Sequence, residues 1–202
     1  MTNDIEQSVH NLIVRYGTRD PFLILSYLNV DVRFSSSYKD LKGFSMICMR
    51  SCYVMINSNL TDEEQRVVAA HELGHIILHK ATLSKGHIRD FALYDSTSLE
   101  EREANAFAAE LLIDDADVLE FIESSPEEAA DIFTISCIHK IPPELLVIKL
   151  SAMNKRGHAF PIFDTPDSRF LGRIKTYADK IHELILNTQS PSHKYTSDDS
   201  IC

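Results

Sequence analysis

The sequence is short of positive charge: 20 lysines and arginines face 30 aspartates and glutamates, a formal net charge of −10. Nucleic acid and anionic membrane both require a basic footprint, so this field argues against either and favours proteins or peptides as partners. Long apolar runs are missing as well. No stretch reaches the roughly 18 residues that a spanning helix needs, and no membrane span is expected. The opening segment, Met1 to Gln7, is acidic and lacks the basic-then-apolar order of a secretory signal. Cysteine is sparse and unframed, at Cys48, Cys52, Cys137 and Cys202. These absences point to a reducing cytoplasm with free thiols. No second Cys or His pair accompanies Cys48 and Cys52, so both read as small buried hydrophobes, not ligands. There is no internal repeat.

What remains is an ordinary globular composition, 44% hydrophobic and 25% charged over 202 residues. Residues 4–16 read as a helix closed by Gly17, and Asp20-Pro21 opens a second one. From residue 30 the period changes to two. Val30 to Phe34, Phe44 to Met49 and Cys52 to Asn57 predict a small antiparallel sheet with turns near 35–42 and Arg50-Ser51. Thr61-Asp62-Glu63-Glu64 is a capping box that starts a long helix reaching about Lys80. Residues 81–97 read as a loop. Ser98-Leu99-Glu100-Glu101 opens another helix to about Ile113, and Ser125-Pro126-Glu127-Glu128 is a third box. Short helices fill 115–156, broken at Pro142-Pro143 and ended by Gly157. An amphipathic helix is predicted over 166–186. The Ser-, Asp- and Thr-rich stretch from Asn187 reads as disordered. The expected organisation is a core over 1–114, a helical region over 115–157, a helix within 158–186 and a tail over 187–202.

Chemistry concentrates at His71-Glu72-Leu73-Gly74-His75. Residues four apart on a helix differ by only about 40° around the axis, so both imidazoles can reach one metal ion. Glu72 is turned by about 100° and flanks the ion instead of binding it, which suits a general base. Gly74 costs roughly 1 kcal/mol against alanine in a helix interior and calls for another element packed closely against it.

A catalytic zinc takes three protein ligands and keeps one position open. His79 lies about 12 Å from His71 along the axis, too far to share an ion, and reads as an outer-sphere or helix-capping residue. A histidine ten residues past His71 is lacking, because that position is Ala81. A later carboxylate should therefore complete the set. In the helix after Ser98 the apolar stripe is Ala104, Phe107, Ala108, Leu111 and Leu112. Glu101 lies on its line, with Glu103 as the alternative. Asn105, one turn on, is placed to orient a ligating histidine.

At these residues the sequence resembles the ImmA/IrrE family of metallo-endopeptidases. The matching pieces are Val54 to Asn57, Ala70 to His75 and Glu101 to Leu112, covering roughly residues 40–115. The resemblance implies a zincin-like fold with a glutamate as third ligand, which agrees with Glu101. Asp114 departs from the pattern, since similar proteins have proline there, at the helix exit. The resemblance also implies cleavage of a helix-turn-helix repressor encoded nearby, in a mobile element, prophage or stress locus.

The expected class is therefore α+β, a zincin-like peptidase core followed by a C-terminal helical region, with Zn2+ as cofactor. The expected metal ligands are His71, His75 and Glu101, and the catalytic base is Glu72. Tyr53 to Asn57 is the expected sheet edge beside the cleft, and His87 and Tyr94 are candidate oxyanion donors. A non-catalytic zinc-bound binding module is the competing reading, yet four protein ligands are usual for structural zinc and only three are found. The helices after residue 115 do not read as a DNA-binding motif. Residues 115–150 hold eight acidic side chains against two lysines, Lys140 and Lys149, and DNA contact needs the opposite sign.

Overall fold

The computed structural model describes residues 2–84, 98–124 and 132–160. Two helices lead, α1 (Thr2–Tyr16) and α2 (Pro21–Tyr27), then three strands, β1 (Asp31–Ser35), β2 (Gly43–Cys48) and β3 (Ser51–Asn57). Next come α3 (Asp62–Leu78), α4 (Lys80–Ser84), α5 (Leu99–Leu112), α6 (Asp115–Ser124), α7 (Ile132–His139) and α8 (Pro143–Lys155). The class is α+β, as expected.

Local chemistry accounts for most boundaries. Gly17 takes a left-handed φ of 67° and ends α1. Asp20 accepts from the Phe22 and Leu23 amides and caps α2. At α3 the capping box closes in both directions, with the Glu64 amide donating to Thr61 Oγ1 and the Thr61 amide donating to Glu64 Oε2. His79 is the C-cap of α3, and α4 follows at once where a loop was expected. The box at Ser125 to Glu128, the helix at 166–186 and the tail lie outside the described residues.

The sheet is mixed, not antiparallel throughout. β2 and β3 form the expected antiparallel hairpin, but β1 pairs with β3 in parallel, giving the order β1-β3-β2. The chain leaving β1 passes to the far edge before turning back, so β3 lies in the middle. Burial explains the choice, since Val54 and Ile56 of β3 are fully buried and a central strand has both rows of backbone groups paired. Tyr53 to Asn57 is therefore not the edge. The hairpin turn is Met49-Arg50, both left-handed with φ of 49° and 68°, one residue earlier than the sequence indicated. Cys48 and Cys137 are exposed and Cys52 is half-buried, so none is the buried hydrophobe expected of the first pair; all three are free thiols. Cys48 pairs with Ser51, and Cys52 with Ile47. Neighbouring register positions face opposite sides of the sheet, so the two thiols do not converge.

α3 is buried nearly all round from Val67 to Ile76, because the sheet and α2 cover part of it and α5 packs on the rest. α1 and α8 pack on α5, and α7 on α8. Residues from α1 through α8 contribute to a single apolar cluster, including Val9, Leu73, Phe107, Leu146 and Met153.

Candidate metal centre

Two helices bring the site together. α3 supplies His71, fully buried, and His75, nearly so, while α5 supplies Glu101 from its first turn. Gly74 permits the approach. A Cβ there would stand 3.2 Å from the Ala104 Cα and 3.2 Å from both Cβ and Cδ1 of Phe107. This is the close packing that the mid-helix glycine called for.

The donor atoms converge. His71 Nε2 and His75 Nε2 are 3.0 Å apart. One Glu101 oxygen lies 3.2 Å from His71 Nε2 and the other 3.1 Å from His75 Nε2. Ligands held tetrahedrally around zinc at about 2.0–2.1 Å would stand about 3.3 Å from one another. Among the described residues, His71, His75 and Glu101 are the one His/Cys/Asp/Glu group whose donor atoms could hold a metal ion. Two imidazole nitrogens and a carboxylate directed at one point concentrate electron density that a cation would neutralise. A mixed nitrogen and oxygen set of this kind suits a catalytic divalent metal. The residues fit the group.

Burial alone would raise the Glu101 carboxyl. Contacts with His71 and His75 outweigh it and bring the carboxyl down to about 2. Glu101 is therefore an anion around neutral pH.

The other expected residues fall at different distances. Glu72 is 1% exposed and lies against the start of β2, where its Cγ would be 3.8 Å from a Cβ added at Gly43. Glu103 is not in the cluster; its Oε2 lies 2.9 Å from His79 Nε2. His79 Nδ1 in turn lies 3.1 Å from His75 Nδ1. His79 is thus both the helix cap and an outer contact of the site, as the sequence indicated. Asn105 is buried, but its carbonyl oxygen has no hydrogen-bond partner among the described residues, and the contact seen on His75 Nδ1 comes from His79. Sequence reading missed the joining of His79 to Glu103, although the i, i+4 spacing of His75 and His79 was an available signal. His87 and Tyr94 lie outside the described residues. Asp114 joins Arg19 at 2.7 Å and accepts from the Ala116 amide, so the departure from the family pattern serves the α5–α6 junction.

Fold and site together define a compact α+β protein with a buried two-histidine, one-glutamate centre between helices. The chain belongs to the M78 peptidases, the ImmA/IrrE family of metallopeptidases: the IrrE N-terminal-like domain matches residues 25–151. It is also similar to "Uncharacterized immunity region protein 2" of Bacillus phage phi105. The two are 34% identical over 145 residues, which cover 72% of this chain and 88% of that protein. No solved structure matches.

Proposed function

We propose that the chain is a zinc-dependent endopeptidase in which His71, His75 and Glu101 hold the ion and Glu72 is the catalytic base. The observation that carries this reading is the convergence of three buried donors, with a second buried carboxylate, Glu72, on the helical position after His71. Bound zinc would supply Lewis acidity, making water a better acid and the scissile carbonyl a better electrophile. Glu72 accepts a proton from the attacking water and returns it to the leaving amine as the C–N bond breaks. Its burial against β2 keeps it from wandering off that path. β2, an edge strand, takes the place first assigned to Tyr53–Asn57 as the strand on which an extended substrate adds.

The substrate in this reading is a helix-turn-helix repressor, cut in the cytoplasm without contact between this chain and DNA. The family resemblance, the acidic surface and the relative's description as an immunity region protein support it. No helix among the described residues is long and apolar enough to cross a membrane.

Incubating the purified protein with zinc and a repressor encoded beside it, next to Glu72→Gln, tests the assignment. The wild type should cut the repressor at one site. Glu72→Gln should bind one zinc per chain and cut nothing. A zinc-loaded wild type that leaves every such repressor whole would favour the non-catalytic module.

A further inference from the structure

We infer that His79 and Glu103 form a relay that positions the imidazole of His75, presenting its Nε2 lone pair to the metal. The inference rests on the reading of His71, His75 and Glu101 as a metal site and adds two residues to it. The chain of contacts runs from Glu103 Oε2 to His79 Nε2 at 2.9 Å, then from His79 Nδ1 to His75 Nδ1 at 3.1 Å.

The direction of each bond follows from donor inventory. A carboxylate only accepts, so His79 donates from Nε2 to Glu103. A ligand of the metal must present a lone pair on Nε2, so the proton of His75 sits on Nδ1 and His79 Nδ1 is the acceptor. Two nitrogens 3.1 Å apart need one hydrogen between them, and His75 Nδ1 supplies it. His75 Nε2 is then bare, and it is this atom that faces His71 Nε2 and Glu101. A carboxylate at one end of the relay thus fixes the tautomer two residues away. It also orients the ring, since the Nδ1 bond restrains rotation about the Cβ–Cγ axis.

Location supports the assignment over a purely structural one. His79 is 9% exposed, sits at the C-cap of α3 and reaches across to α5, so one side chain ties ligand, helix end and neighbouring helix together. The cap itself is made by the backbone, with the His79 amide donating to the His75 carbonyl. The ring is not needed for that bond. Glu103 is not among the converging donors; its carboxylate meets His79.

The test uses zinc-loaded protein with 15N-labelled histidine, and zinc affinity measured by competition with a chelator. In the wild type, the His79 proton should sit on Nε2, and a scalar coupling should connect His75 Nδ1 to His79 Nδ1. His79→Phe should raise the zinc dissociation constant about 10–100-fold, whereas His79→Gln, whose amide oxygen can accept from His75 Nδ1, should recover most of the loss. Glu103→Ala should abolish the coupling or move the His79 proton, with a smaller loss of affinity. A His79 protonated on Nδ1 in the wild type would overturn the relay. So would His79→Phe binding zinc as tightly as wild type, even if its melting temperature fell, because a packing role alone predicts that pattern. If instead His71→Ala keeps wild-type zinc affinity, the metal site itself is misassigned, and that outcome is distinct from failure of the relay.

Discussion

Glu101 stands where two roles compete. It is the third residue of α5 after the cap Ser98, the position at which Glu64 closes the capping box of α3. The Glu101 amide does donate to Ser98 Oγ at 3.2 Å. Its carboxylate, however, turns to the two histidines, one oxygen to each. Removing a pure first-turn charge should cost about 1 kcal/mol or less and leave activity intact. Glu101→Ala should instead lose stoichiometric zinc and all cleavage while remaining folded, which metal analysis and circular dichroism on one sample would check. Retention of zinc by that variant would return Glu101 to capping. The convergence of His71, His75 and Glu101 was legible because each lies on a helical face set by local spacing. The partnership of Glu103 with His79 was not, since period alone leaves Glu101 and Glu103 both open, and only the crossing of α5 over α3 separates them.

At the scale of elements, the α3–α5 contact sets the distance between the histidines and the glutamate. Gly74 is the contact point. Alanine there would gain roughly 1 kcal/mol of helix propensity, but its methyl would meet a backbone Cα and the stem of Phe107 at 3.2 Å. Neither can move without moving α5, and overpacking of this kind costs about 1–3 kcal/mol. Gly74→Ala should therefore be destabilised by about 1 kcal/mol net and bind zinc more weakly, because α5 carries Glu101. Urea unfolding of the apo-protein together with chelator competition measures both; unchanged zinc affinity would show that the helices part without disturbing the site. The need for a close neighbour was readable from a glycine inside a helix. The identity of the edge strand was not. Alternating apolar residues mark a strand but not its neighbours, and the parallel pairing of β1 depends on where the 36–42 connection crosses. The turn was displaced for a similar reason, because Met49-Arg50 adopts left-handed geometry with neither Gly nor Asn to signal it.

For the whole molecule, the question is what binds α8 to the helix that carries Glu101. Sequence reading expected a separate helical region from residue 115 and could see only its acidity. Within the structure one of its acids, Asp115, is answered together with Glu110 of α5. Lys149 of α8 is 1% exposed, with Nζ 2.8 Å from Glu110 Oε1 and 2.5 Å from Asp115 Oδ1. Arg156 adds Glu6 of α1 and a second contact to Asp115, while Arg19 donates to the last carbonyls of α5, Glu110 O and Leu111 O. One cation buried between α5, α6 and α8 thus offsets two carboxylates that would otherwise repel. Removing one member of a fully buried pair costs about 3–5 kcal/mol. Glu110 and Asp115 are partly exposed and keep Arg156, so Lys149→Met, which fills the same space, should cost less, about 2–3 kcal/mol. Denaturant unfolding should show a lower midpoint with an unchanged slope, and zinc content per folded molecule should stay at the wild-type value. A midpoint equal to or above wild type would mean that desolvation of the ammonium already outweighs its attraction to the two acids, and that apolar packing of Leu145, Leu146 and Met153 alone holds α8 in place.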